Sequence, residues 1–359
     1  MTAIRSRLHV DWGLISEEMA DHRESRKDTI ARLQRVIHDA LSRYIDGSAA
    51  AALLDFPNYS NVGDSAIWMG EIAYLRRHHG IRPAFVCTKD QVDWEAMEQA
   101  VPTGPVLISG GGNFGDIWPQ HQLFREVVLE RFPGRLVVQL PQSIHFSNTA
   151  GLRRAAAVIK AHGNFVLFVR DKQSYEIARD TFSCPVHLCP DMAFCLGPLR
   201  TPVQATHELL FLLRTDKERT GTEAGSAPRL PDNAVVADWT GEETRLYQKT
   251  RLRTAATSIL TLGHRVLDKN RQRERLYRNL ATTRLDRGLH LLSSARTVIT
   301  DRLHGHILCV LLGLPHIALD NSYGKVSGFI EAWTKGCEVV NVAPNLDRAI
   351  VSYQASIRA

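Results

Sequence analysis

The sequence predicts an α/β protein built from two doubly wound parallel sheets, and three observations carry that reading. Strand, loop and helix signals alternate from Ala49 to Cys195 and again from Glu208 to Thr334, the order that builds parallel sheets. Polar residues and glycines gather where each strand hands over to its helix, the edge at which open α/β sheets hold ligands. A chain of 359 residues also exceeds the size at which a single core keeps growing, so two domains are expected.

In chain order, residues 1–47 form a polar, helical N-terminal extension, with an amphipathic helix over Asp28–Ile45. Residues 48–197 form the first Rossmann-like domain. Its opening strand, Ala49–Asp55, runs into the loop Asn58–Asp64 and a helix over Ser65–His79. Asn61, Gly63 and Asp64 stand at that helix start. Gly63 permits close approach of backbone to a ligand, and Asp64 either caps the helix or faces the site. Further strands follow at Pro83–Thr88 and Val106–Ser109. The second leads into Gly110, Gly111, Gly112 and Asn113, read as a turn whose N–H groups converge on an anion or a sugar. The spacing is neither GxGxxG nor a P-loop, and a glycine turn without a ligand is the plainer reading. A strand over Arg135–Gln139 delivers Gln142 and Ser143 to the same edge. Another over Phe165–Val169 delivers Arg170.

Residues 198–206 link to a second Rossmann-like domain over 207–342. There a strand over Glu208–Leu213 ends at Arg214 and another spans Val235–Asp238. The stretch Arg296–Asp320 reads as strand, turn, helix, strand. Asp301 is expected to cap a helix beginning near Leu303, which Gly313 and Pro315 end. Arg302 can grip a carboxylate or phosphate bidentately, and His304 can move a proton near neutral pH. Taken alone, the two could equally be a salt-bridged arginine and a packed histidine. Tyr323 and Lys325 follow the next strand and face the same edge, or serve as a turn residue and a helix-start lysine. Residues 343–359 close the chain with a helix expected to pack back on the first domain.

Hydrophobic residues make up 44% and charged residues 23%, which suits a soluble globular chain. No apolar run reaches membrane-span length and the N-terminus lacks a signal-peptide core, so a cytoplasmic location is expected. The six cysteines are then expected as thiols, with no metal site and no cofactor. The net charge is +6, and twelve Lys/Arg against three Asp/Glu fall between Arg245 and Arg287. No nucleic-acid motif accompanies that run. It reads as a solvated basic helix face, or as contact with a lipid phosphate or an anionic membrane surface.

The motifs NVGD (61–64), GGGNFGD (110–116), PQS (141–143), Arg170-Asp171 with Ser174, Pro190-Asp191, DRLHG (301–305) and SYGKVSGF (322–329) occur in this order. Together, from Asp55 to Glu331, they resemble the polysaccharide pyruvyltransferase family. The resemblance implies a GT-B-like pair of domains with the active site in the interdomain cleft. It implies phosphoenolpyruvate as donor, a sugar or lipid-linked oligosaccharide as acceptor, and a cyclic ketal as product of exopolysaccharide or cell-surface glycan synthesis. Arg302, Leu303 and His304 then hold the donor, with Arg170, Arg214 and Lys325 as further donor contacts. His304 is the expected general acid, its basicity raised by the neighbouring anion, and Asp64 or Asp301 the candidate base. Asn61, Gly63, Gly111, Gly112, Asn113, Gln142, Ser143 and Tyr323 are expected to line the cleft. The rival readings are a nucleotide-sugar glycosyltransferase on the same fold and a non-catalytic anion- or carbohydrate-binding protein.

Overall fold

The computed structural model describes residues 23–45, 47–214, 233–241, 246–254, 269–320 and 324–357. Tyr323 lies outside these, as does the side chain of Lys325. The chain is α/β throughout. Its first sheet uses β1 (Ala52–Leu54), β2 (Phe85–Val86), β3 (Val106–Ile108), β4 (Gly111–Gly115), β5 (Val137–His145), β6 (Phe165–Val169) and β7 (Val186–Leu188). All its pairings are parallel in the order β2-β1-β3-β5-β6-β7, with β4 added alongside β5. The second sheet orders β12 (Val340–Val342), β11 (His316–Ala318), β10 (Ala295–Thr300), β8 (His207–Leu212) and β9 (Ala234–Ala237), again parallel.

Strand order reverses between β1 and β3 in the first sheet and between β8 and β10 in the second. At such reversals the helices leave to opposite faces and a crevice opens beyond the carboxyl ends of the strands. Those ends carry Asp55 after β1, Arg214 after β8, and Asp301 and Arg302 after β10.

The two sheets share one apolar core. Helix α1 (Arg26–Leu41) contributes Ile30 and Leu33, α2 (Val62–His79) contributes Val62 and Trp68, and the long helix Lys269–Ser293 contributes Tyr277 and Leu280, all buried together. Helix α1 ties the halves by polar contacts as well. Arg26 donates to the Leu311 carbonyl at 2.8 Å, and Gln34 donates to that of Phe194 at 2.9 Å. The basic run around 245–287 is only partly on the surface. Its arginines Arg284 and Arg287 donate to the carbonyls of Pro57 and Ser60, and Tyr277 stacks on Phe56 at 4.2 Å.

Three expectations are corrected. The glycine stretch is a strand rather than a turn, because Gly111 at φ 138° can take a conformation closed to other residues and still pair with Gln142. The strand expected to end at Gln139 runs on to His145, with its register shifting between Gln139 and Gln142 to pass Pro141. The C-terminal helix Leu346–Ser356 packs under the second sheet, where Ile350 and Tyr353 meet Leu209, Phe211 and Ile317.

Candidate active site

A cavity of about 440 Å³ takes its lining from both sheets. The second sheet contributes Arg214, Trp239, Arg302, Leu303 and His304, and the first contributes Tyr59, Asn61, Asp64, Asn113, His121 and Arg170, among others.

Helix α8 (Leu303–Leu312) starts at this cavity with no side chain capping it. Its first N–H groups and the positive end of its dipole therefore favour an anion there. Asp301 does not cap it, contrary to expectation. Its carboxylate instead accepts the N–H of Arg214 at 2.9 Å, while the Thr300 hydroxyl accepts that of Arg302 at 3.1 Å. Burial raises the Asp301 carboxyl, and the N–H of Arg214 and the charge of Arg302 pull the other way. Nor is Asp301 among the described residues that line the cavity.

Arg302 and Asp238 form a buried ion pair at 2.7 Å. Asp238 follows β9, so the second sheet supplies both the arginine and the group that fixes its guanidinium plane. Buried pairs of this kind contribute geometry more than stability.

His304 lies against a second buried carboxylate. Its Nε2 is 3.4 Å from Oδ2 of Asp191, an ion-pair distance without hydrogen-bond alignment. The same oxygen accepts from Arg170 at 2.6 Å, and Oδ1 accepts the N–H of Ala193 at 2.9 Å. Burial alone would raise the Asp191 carboxyl, but His304, Arg170 and that N–H together hold it well below the carboxylate range. Arg170 also donates to the Ser143 hydroxyl at 2.9 Å, and Ser143 donates to Asp171 at 2.7 Å. A relay of short polar contacts thus runs from the N-cap of helix Lys172–Thr181, where Asp171 sits, to the imidazole at the cavity.

The structure assigns the sequence-predicted residues unevenly. Asn61, Asp64, Gly112, Asn113, Arg170, Arg214, Arg302, Leu303 and His304 line the cavity. Asn61, rather than Asp64, caps α2, accepting the Gly63 N–H at 3.0 Å and donating to Asp64 at 2.9 Å. Gly63 approaches His304 instead of a ligand: a Cβ there would stand 2.3 Å from Nδ1 of the imidazole. Gln142 and Ser143 are buried behind the wall. Gln142 donates to Asn113 at 2.9 Å and accepts its N–H at 3.2 Å. One N–H of the expected anion nest is already engaged, since Glu71 accepts the Gly110 N–H at 2.7 Å and the Ser109 hydroxyl at 2.9 Å. Burial pushes the Glu71 carboxyl up to about 8 against those two hydrogen bonds.

Sequence reasoning passed over Asp55, His121, Asp191 and Asp238 as site residues. Asp191 had a signal in its Pro-Asp motif, and Asp238 in its place at a strand end. Asp55 had the same signal, but nothing in the sequence joined it to His121, 66 residues away.

Fold and cavity together define a parallel α/β protein that gathers arginines and a histidine around a space sized for a small anionic substrate. Comparison with known proteins narrows this class. Residues 61–323 match the family model described as polysaccharide pyruvyl transferase. The chain is 32% identical to pyruvyl transferase 1 of Schizosaccharomyces pombe over 90% of its own length and 79% of that protein. It is also 32% identical to the Bacillus subtilis protein EpsO, which bears the name of a pyruvyl transferase, over 79% of this chain and 84% of that one. The solved structure of a functionally uncharacterized protein from Klebsiella pneumoniae shares the fold at a TM-score of 0.57, with 18% identity over 87% of this chain and 99% of that one. The chain belongs to the polysaccharide pyruvyl transferase family, and it is a transferase.

Proposed function

We propose that this protein moves the pyruvyl group of phosphoenolpyruvate onto two hydroxyls of a sugar, forming a cyclic ketal in the synthesis of an exopolysaccharide or other surface glycan. The observation that carries the reading is the meeting of Arg302, Arg214, Arg170 and His304 in one cavity beyond the strand ends of both sheets. Phosphoenolpyruvate carries a carboxylate and a phosphate on one small frame, and arginines beside an uncapped helix start suit that charge. The two sheets then act as a GT-B-like pair with the reaction between them.

In this reading His304 delivers a proton to the methylene carbon of the donor. C2 becomes oxocarbenium-like and takes the first hydroxyl oxygen. Departure of phosphate lets the second hydroxyl close the ring. Asp191 and Gly63 orient the imidazole, Asp238 orients Arg302, and Asp64 and Asn113 hold acceptor hydroxyls, with Lys325 a further donor contact. The chemistry calls for no metal or cofactor, so activity lost in chelator and restored by a divalent ion would count against it. No helix among the described residues is long and apolar enough to cross a membrane. For a lipid-linked acceptor at the cytoplasmic face, the exposed Arg251, Leu252 and Arg253 would meet the membrane surface.

The test is a donor and acceptor panel read by phosphate release and by mass spectrometry of the acceptor. Phosphate release from phosphoenolpyruvate, coupled to gain of a pyruvyl group by a galactoside or mannoside, is expected. Release of a nucleoside diphosphate from a nucleotide sugar would replace this reading with glycosyl transfer. Stabilisation by phosphoenolpyruvate without turnover would replace it with binding alone.

A further inference from the structure

Ketal formation leaves a proton problem that the second-sheet wall does not solve. Two acceptor hydroxyls must each lose a proton, and His304 is committed to supplying one. The first-sheet wall holds a second histidine. His121 lies in the first turn of the helix Pro119–Arg131 and lines the cavity. Its Nδ1 is 2.7 Å from Oδ2 of Asp55, whose side chain is almost wholly buried. A carboxylate only accepts hydrogen bonds, so Nδ1 carries a proton, and in the neutral ring Nε2 then presents its lone pair. Nε2 has no hydrogen-bond partner among the described residues, while the other Asp55 oxygen, Oδ1, is buried and equally without one.

Asp55 reaches this position at a cost in backbone conformation. At φ 65° it is the one non-glycine residue with positive φ among the described residues, directly beyond β1 at the first sheet's strand reversal. Arg125, one turn after His121, spends its guanidinium on Gln139, Gln122 and Asn113, so Asp55 keeps the imidazole as its partner. The edge of the Tyr59 ring meets the imidazole at 6.1 Å between centroids. The other ionisable groups around the same cavity are Tyr59, Asp64, Lys89, Arg170, Arg214, Arg302 and His304. Asp64 is the weaker candidate for a base. Its carboxylate already accepts a hydrogen bond from the N-cap residue Asn61 at 2.9 Å, which holds it to the start of α2.

We infer that His121, held in one tautomer by Asp55, is the general base that takes the proton of the acceptor's first hydroxyl; the inference rests on the pyruvyl-transfer reading. As the hydroxyl oxygen bonds to C2 of the protonated donor, Nε2 of His121 takes its proton. The C2–O bond to phosphate then breaks with its electron pair on oxygen, and the proton on His121 leaves with the phosphate. The second hydroxyl oxygen bonds to C2, and its proton restores His304. Two hydroxyl protons are thus accounted for, one in the new methyl group by way of His304 and one on the phosphate. No oxidant or further reactant enters. His121 touches the acceptor and is catalytic, whereas Asp55 acts through it and is a positioning residue.

The variants are His121→Gln and Asp55→Asn, assayed at saturating phosphoenolpyruvate with an acceptor that the wild type pyruvylates. His121→Gln is expected to lose ~10²-fold or more in kcat, to keep its thermal stabilisation by phosphoenolpyruvate, and to lose the acid limb of the pH profile of kcat/KM for the acceptor. Asp55→Asn is expected to lose kcat to a similar degree while its acid limb persists at a displaced pH, since the imidazole is present in the wrong tautomer. If Asp55→Asn does not fold, His121→Gln decides alone. A His121→Gln enzyme that keeps kcat and changes only the acceptor KM would reduce His121 to a contact, and an acid limb that survives the substitution would place the base elsewhere. A wild type that transfers no pyruvate to any acceptor would instead overturn the pyruvyl-transfer reading, and this inference with it.

Discussion

The two walls of the cavity are built by different means. On the second-sheet wall, Arg302, Leu303 and His304 are consecutive, and each projects from one strand-to-helix junction. Their supports, Asp238 and Asp191, are carboxylates already paired in the buried state. On the first-sheet wall, the glycine run gives the N–H groups of Gly110 and Asn113 to Glu71 and Gln142. The histidine there is His121, brought in from the helix Pro119–Arg131 and paired with Asp55. One wall concentrates its chemistry in a motif, and the other assembles it from distant positions. On the pyruvyl-transfer reading, a charged donor suits the first arrangement and a neutral acceptor the second.

The largest expected effect tests the second-sheet wall directly. His304→Asn should lower kcat by ~10² to 10⁴-fold while phosphoenolpyruvate still raises the melting temperature. Near-normal turnover at saturating donor would remove His304 as the acid. A smaller effect should follow where the two walls touch. Gly63→Ala puts a methyl group 2.3 Å from the position of Nδ1 of His304, so the imidazole must move. In an open helix the same change would stabilise by about 1 kcal/mol. Here kcat should fall ~10 to 10²-fold, because displacement of about 1 Å costs that much in a proton transfer, and the melting temperature should fall too, since the Cβ of His304, 2.7 Å away, cannot rotate aside. Unchanged kinetics would show that the contact does not position the ring.

A third comparison lies within α8 itself. Two residues after His304, His306 is fully buried, with Nδ1 2.8 Å from His316 and Nε2 2.9 Å from the Thr334 hydroxyl. Burial pushes His316 down to about 4 against the hydrogen bond to the Leu314 carbonyl, and burial together with His316 pushes His306 well below its ordinary value. The folded pair therefore stays neutral where unfolded imidazoles take up protons. The stability it gives is complete above about pH 6.5 and is lost as pH falls from there; the part due to His316, lost through about 4, is on the order of 3 kcal/mol. Melting curves across this range should follow that slope, and His316→Asn should flatten it. An equal slope in the variant would assign the acid sensitivity to other groups. The smallest effect is expected at Asp301. Since its carboxylate serves the Arg214 N–H, Asp301→Asn should cost about 1 kcal/mol or less of stability and leave kcat within a few-fold. A loss matching that of His304→Asn would restore it as a candidate base.

The parallel α/β architecture was legible because alternating strand and helix signals, with turn residues between them, are local properties of the sequence. The second-sheet wall was legible for the same reason, as Arg302 and His304 follow a short β-branched strand and precede an apolar helix. The glycine run misled because its composition signals conformational freedom without saying what uses it. At Gly111 the freedom serves a strand, at Gly112 it makes room for Arg170, and at Gly63 for His304. The C-terminal helix misled because an amphipathic pattern fixes that a face is buried and not which sheet buries it. The Asp55–His121 pair could not be read at all, since a contact across 66 residues depends on the sheet order that sets β1 beside β3, whose chain runs on through β4 into the helix Pro119–Arg131.

The proton that converts the donor's methylene into a methyl group tests the central claim most directly. The reaction run in deuterium oxide and followed by mass spectrometry and proton NMR should give an acceptor bearing a ketal whose methyl group carries one solvent deuterium. His304→Asn should form that product far more slowly. A product that keeps the donor's carbon–carbon double bond, or a methyl group without solvent deuterium, would contradict proton delivery to the methylene carbon, and with it the role of His304 in this cavity.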